Sequence, residues 1–223
     1  RSLLGREGGI DRPHVYLMQP YDPNRRIIVM LHGLASSPEA WVELANEILG
    51  DEALRQHYQI WQVYYPTNMP VALNHAMIRR ALGETLTHFD PSGQAPASSD
   101  LVLVGHSMGG VIARLMVSST DQSLVQLAAD HSRLTPQQIR RIDPMLRFEP
   151  FPNVSSAIFI AAPHRGTSVA GGRLGRWMAG FIRFPITVLE ELAHTLAPNA
   201  AASSRESLAT IPNSVNNLDE NDP

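Results

Sequence analysis

The chain has 223 residues, a formal net charge of −3 and no cysteine, and its 18 basic residues are all arginine. This length suits one domain with a sizeable core, and arginines scattered along an acidic chain argue against nucleic acid as a partner. The absence of cysteine excludes disulfides and thiolate metal sites. The nine histidines include no pair with the helical spacing of metal ligands. The chain also contains no run of 18 apolar residues, the length needed to span a membrane.

Apolar runs alternate with helical patterns, which is typical of a mostly parallel sheet with helices on both faces. Strands are predicted at residues 14–19, 27–31, 60–65, 101–104 and 154–162. Helices are predicted at 38–50, where Ser37 caps the helix and Gly50 ends it, at 73–86, and from residue 111 onward. Residues 90–99 form a linker rich in proline, glycine and serine. The whole chain is therefore predicted to be one α/β domain.

Two long segments follow the helix at residue 111. Residues 120–152 contain a capping box at 135–138 that begins a short helix, and they form either a cap over the site or an ordinary connection. Residues 166–200 are a second candidate cap. Their apolar part, 174–196, either packs as a core helix, which its spacing favours, or lines an acyl pocket or lipid surface.

The segment Gly-His-Ser-Met-Gly at 105–109 predicts a nucleophile elbow centred on Ser107. It lies between a buried apolar strand and a helix, and this context distinguishes it from a chance glycine-rich turn. A serine hydroxyl is a weak nucleophile, so it must be held on a sharp turn within reach of a base. Gly105 and Gly109 allow the strand and the helix to approach closely around that turn.

Acyl transfer also needs backbone N–H donors directed at the developing oxyanion. The sequence predicts Met108, directly after the nucleophile, as one donor, and Leu34, in the loop after the strand at 27–31, as the other. Gly33 permits the turn of that loop. His32 and His106 are interpreted as orienting or structural side chains and not as bases.

The general base is not evident in the sequence. Three histidines follow Ser107: His131, His164 and His194. His164 is a weak candidate because it lies at the end of a strand but within a Pro-His-Arg-Gly turn. Only one convincing strand follows Ser107, whereas an α/β-hydrolase places its acid and then its histidine after later strands.

Four segments carry a resemblance to a known group: 29–41, 105–110, 159–167 and 212–218. In these the chain resembles the bacterial α/β-hydrolase esterases and lipases related to the GPI inositol-deacylase-like proteins. The resemblance implies an α/β-hydrolase fold and no cofactor or metal. In that group a Ser-Asp-Gly acid motif and a terminal Gly-His motif follow, and neither occurs here. The chain is thus expected to lack its last strands, with the acid and histidine beyond residue 223.

The parent protein is therefore expected to hydrolyse carboxylic esters through an acyl-enzyme at Ser107. Its expected partner is a small-molecule ester or lipid, with peripheral contact to a lipid surface left open. The chain by itself is expected to be inactive and poorly soluble, because its sheet would end on an exposed edge. The alternatives are a non-catalytic binding or scaffold module with a vestigial elbow, and an acyltransferase. The N-terminus, Arg1, does not indicate a compartment.

Overall fold

The computed structural model describes residues 12–67, 69, 71–120 and 147–164. Within these ranges the chain forms five strands, five α-helices and one 3-10 helix. The strands are β1 (His14–Leu17), β2 (Arg26–Leu31), β3 (Tyr58–Tyr64), β4 (Leu101–His106) and β5 (Val154–Ile160). The helices are α1 (Val42–Gly50), α2 (Glu52–His57), α3 (Val71–Phe89), α4 (Pro96–Ser99) and α5 (Met108–Met116), and the 3-10 helix is Pro38–Trp41.

The described strands form one sheet in the order β1-β3-β2-β4-β5. Strands β3, β2, β4 and β5 run parallel, and β1 pairs with β3 in the antiparallel direction. The predicted α/β class with a mostly parallel sheet is therefore confirmed. Because parallel strands end at the same edge, the loops that leave β2, β3, β4 and β5 are brought together.

The central strands are buried on both faces, as their apolar runs predict. Alternate residues of β2 belong to two separate core clusters. Ile27, Val29 and Leu31 pack in the cluster that contains the apolar residues of α3 and α5. Ile28 and Met30 pack in the cluster that contains residues of α1 and the 3-10 helix. Helices thus cover both faces of the sheet.

Ser37 occupies the predicted N-cap position, with Pro38 directly after it, but its side chain does not cap the helix. Its backbone is extended (φ −148°, ψ 172°), it makes no side-chain cap hydrogen bond, and its hydroxyl donates to Glu39 at 2.8 Å. The segment that follows is a 3-10 turn before α1 begins at Val42. A side-chain cap lies instead at Asp51, whose Oδ1 accepts from the backbone N–H of Leu54 at 2.9 Å and begins α2, which was not predicted.

Most of both candidate caps lies outside the described residues. Residues 121–146 are not described, so the short helix predicted to begin at 135–138 lies outside the described residues. Residues 165–223 are not described either, and they contain the whole of the segment 166–200. At the margins of the first segment, the backbone N–H of Thr120 donates to the carbonyl of Phe148 at 2.9 Å, and Phe151 is buried in the core beside α3 and α5. No helix in the described ranges is long and apolar enough to cross a bilayer.

Candidate active site

Ser107 occupies the turn between β4 and α5 in an uncommon backbone conformation, with φ at 52° and ψ at −118°. These angles match the second residue of a type II′ turn, a position that favours glycine. Its backbone N–H donates to the carbonyl of Ile160 at 2.9 Å, and its carbonyl accepts from Gly110 at 3.0 Å. The end of β5 and the start of α5 therefore both hold the turn.

Close backbone packing requires the glycines on either side of Ser107. A Cβ atom at Gly105 would collide with the carbonyl group of Gly109. A Cβ atom at Gly109 would collide with the carbonyl oxygens of Leu31 and His32, at the end of β2. Helix α5 thus begins directly against β4 and β2, which presents Ser107 at the carboxyl edge of the sheet.

The loop after β2 lies against this turn. A Cβ atom at Gly33 would lie 3.0 Å from Nδ1 of His106 and 3.2 Å from Cβ of Ser107, closer than an ordinary contact. Among the described residues, no hydrogen bond is made by the backbone N–H of Leu34 in this loop or of Met108 at the start of α5.

His32 is fully buried beneath the loop, and its ring stacks on Tyr65 with 4.2 Å between centroids. Burial lowers the pKa of His32, opposed by its hydrogen bond to the carbonyl of Gly33, which accepts from Nδ1 at 3.0 Å. The carbonyl of Gly33 is therefore turned toward the imidazole. Because a trans peptide is planar, the N–H of Leu34 in the same peptide points the opposite way. The contact with His32 thus fixes the orientation of the peptide between Gly33 and Leu34.

The other two histidines at this edge lie near the end of β4 and after β5. His106 is exposed, with its ring beside Gly33. His164 is exposed, and its ring packs edge-on against Phe159 with 4.8 Å between centroids. Within the described residues, the hydroxyl of Ser107 makes no hydrogen bond to a histidine. His131 and His194 lie outside these residues, so the identity of the base stays a prediction.

Sequence reasoning did not find the polar contacts that support the loop after β2. The hydroxyl of Tyr65 donates to the carbonyl of His32. The hydroxyl oxygen of Thr67 accepts from the backbone N–H of Ala35 at 3.2 Å. Both supporting side chains follow β3 and are fully buried. A polar Tyr-Pro-Thr segment at the carboxyl end of a buried strand is the signal that could have indicated them.

A groove of about 1010 Å³ lies elsewhere, between α3 and residues 147–152. Its lining includes His75, Arg79, Phe148 and Glu149, and it includes none of the predicted site residues. The described residues contain no group of three or more His, Cys, Asp or Glu side chains placed to hold a metal ion. The candidate site is thus the sheet edge around Ser107.

One family matches most of the chain. The family described as "Putative serine esterase (DUF676)" matches residues 22–182, which include the loop after β2, the turn at Ser107 and β5. A comparison with curated proteins found no match.

Solved structures of bacterial esterases and lipases are similar to the chain at low identity. The mature form of the lipase BlEst2 from Bacillus licheniformis is 18% identical over 86% of this chain and 66% of that one, with a TM-score of 0.42. The esterase Est2 from Thermogutta terrifontis is 18% identical over 68% of this chain and 48% of its own, with a TM-score of 0.42. Esterase B from Lactobacillus rhamnosis, in an inhibited form, is 11% identical over 82% of this chain and 61% of its own, with a TM-score of 0.47. The chain spans about half to two thirds of the length of these three enzymes.

Proposed function

Because the chain belongs to this family of serine esterases, we propose that it carries the nucleophile and the oxyanion site of an enzyme that hydrolyses carboxylic esters. Ser107 is the nucleophile. The observation that carries the proposal is its backbone conformation, with φ at 52° on a turn between a buried strand and a helix. A non-glycine residue persists in such a conformation only when its surroundings hold it there, and such residues cluster at functional sites.

The reaction begins with attack of the Ser107 hydroxyl on the acyl carbonyl carbon of the ester. A base takes the serine proton as the new C–O bond forms, and the carbonyl oxygen becomes an oxyanion. The backbone N–H groups of Leu34 and Met108 donate to this oxyanion. Collapse of the intermediate breaks the bond to the alcohol, which receives the proton from the base. Water then attacks the acyl-enzyme in the same way and releases the acid.

The base is a histidine outside the described residues, held by an acidic residue. From the resemblance to the wider esterase group, we expect both in a later segment of the protein, and His164 is the alternative within the described chain. The substrate is a small-molecule ester or a lipid ester, the substrate class that the resemblance to the wider esterase group implies. Contact with a lipid surface would suit a lipid ester.

A fluorophosphonate probe, which reacts with activated serines, tests the proposal. Labelling is measured on the 223-residue chain and on the product of the whole reading frame, each as wild type and as Ser107→Ala. Ser99→Ala is the matched control, because Ser99 is exposed at the far end of β4 and donates only to the carbonyl of Pro96.

We expect labelling that is lost in Ser107→Ala and kept in Ser99→Ala. Labelling of the reading-frame product alone would place the base after residue 223. Labelling of the 223-residue chain would place it within these residues, and His164→Ala would then be the first variant to measure. Folded proteins that show no Ser107-dependent labelling in either form would refute the proposed function.

A further inference from the structure

Thr67 links the loop after β2 to the loop after β3. It is fully buried, and its hydroxyl oxygen accepts the backbone N–H of Ala35, 32 residues earlier, at 3.2 Å. Ala35 has a φ of 54°, which places it in the left-handed region that an alanine seldom adopts. The hydrogen bond to Thr67 thus acts on a loop residue whose conformation needs support from its surroundings.

Hydrogen bonds from a side chain of α3 hold the segment that contains Thr67. Asn74, fully buried on α3, donates its side-chain N–H groups to the carbonyls of Pro66 at 2.9 Å and Met69 at 3.3 Å. Two residues before Thr67, the buried hydroxyl of Tyr65 donates to the carbonyl of His32. Burial raises the pKa of Tyr65, so the hydroxyl keeps its proton and remains a donor. The loop after β3 is therefore a fixed support.

These contacts fix the peptides on both sides of Leu34. The peptide before it has its carbonyl, from Gly33, turned toward Nδ1 of His32. The peptide after it has its N–H, from Ala35, turned toward Thr67. With both peptide planes set by buried partners, the direction of the Leu34 N–H is set as well.

We propose that Thr67 is a positioning residue of the esterase site, holding the loop so that the N–H of Leu34 points at the oxyanion. The inference rests on the proposed function. If Thr67 lost its hydroxyl, the N–H of Ala35 would lose its acceptor, and because Ala35 is exposed, water would replace Thr67 and the loop would be free to rotate. The Leu34 donor would turn with it. Because the oxyanion exists only in the transition state, the rate of the chemical step would fall more than substrate binding.

Two substitutions of similar size separate the hydroxyl from its packing. Thr67→Val keeps the shape of the side chain and removes the acceptor. Thr67→Ser keeps the acceptor and removes a methyl group. Hydrolysis of p-nitrophenyl butyrate is measured in the form of the protein that carries the activity. We expect Thr67→Val to lower kcat at least about tenfold with KM changed less than about twofold, and Thr67→Ser to keep kcat within about threefold.

Amide hydrogen exchange at Ala35, measured by NMR on the same form of the protein as the kinetic assay, gives a second readout that needs no turnover. Exchange at Ala35 should be at least about tenfold faster in Thr67→Val and unchanged in Thr67→Ser. Equal kcat values for the two variants, or equal protection of Ala35, would overturn the positioning role. If Ser107→Ala hydrolyses the ester as fast as the wild type, the proposed function fails instead, whatever Thr67→Val does.

Discussion

Replacing Ser107 by glycine should give a more stable protein than replacing it by alanine. Both variants lack the hydroxyl, so the comparison isolates the backbone. The prediction follows from the observed angles of 52° and −118°, which glycine adopts without steric conflict and a residue with a Cβ atom does not. At ordinary positions the alanine variant is the more stable of the two, because glycine loses more conformational freedom on folding.

The size of the effect is the difference between two opposing terms. A non-glycine residue in a sparsely populated region costs of order 1–3 kcal/mol. Glycine costs about 0.4–1 kcal/mol through the greater freedom of the unfolded chain. The net expectation is that Ser107→Gly is about 1 kcal/mol more stable than Ser107→Ala, which corresponds to a rise of about 0.5 M in the urea midpoint for a slope of about 2 kcal/mol per molar.

Urea unfolding of the two variants, followed by circular dichroism, measures this difference. Gly83 is the matched control, since it lies within α3 and a Cβ atom there would meet nothing within 4 Å. Gly83→Ala should be about 0.5–1 kcal/mol more stable than the wild type, the ordinary order. If alanine is more stable than glycine at residue 107, as it is expected to be at residue 83, the turn is not strained and the argument from its conformation is wrong.

Two further outcomes follow from the structure. His75 is buried on α3, and its burial, with the charge of Arg79, lowers its pKa to about 4 from the usual value of 6.5. The unfolded chain therefore binds a proton at His75 that the folded chain does not, and this group alone should lower stability by about 2 kcal/mol between pH 7 and pH 5. His75→Leu should remove most of that fall in urea unfolding at the two pH values, and an equal fall in both proteins would contradict it. Gly33→Ala brings a Cβ atom within 3.2 Å of the Ser107 Cβ, so Ser107-dependent fluorophosphonate labelling should drop at least about tenfold with little change in the urea midpoint. Full-rate labelling would show that the loop and the turn do not constrain each other.

Local patterns were sufficient to predict the sheet and most helices. Strand β2 could be predicted because it is apolar from Ile27 to Leu31, a run that only a strand buried on both faces tolerates. Helix α2 was not predicted because it has only six residues and directly follows Gly50, which is itself a common helix stop. At Ser37, the Ser-Pro pair does begin a helical turn, but this turn is a 3-10 helix, and the Ser37 hydroxyl bonds to Glu39 in place of the backbone.

The turn at Ser107 could be predicted from the sequence, whereas the contacts that support the neighbouring loop could not. Its strand, glycines and helix are contiguous in the chain, so the motif carries its own context. The contact between Thr67 and Ala35 spans 32 residues and exists because β2 and β3 pair in register, with Leu31 opposite Val63. One residue of slip would turn the supporting side chains to the other face. No local pattern specifies that register.

Residues with positive φ are concentrated at the candidate site. Of the four non-glycine examples in the described chain, Ala35, Ser107 and Ala161 lie in loops that leave β2, β4 and β5 at the same sheet edge, and Asn153 precedes β5. Strands β2 and β4, which precede Ala35 and Ser107, are buried on both faces, and such close-packed cores yield little to local strain. A backbone held this firmly cannot relax toward water while the site is empty. Under the proposed function, the N–H groups of this backbone would already be oriented when an oxyanion forms, which is the condition under which they lower the barrier most.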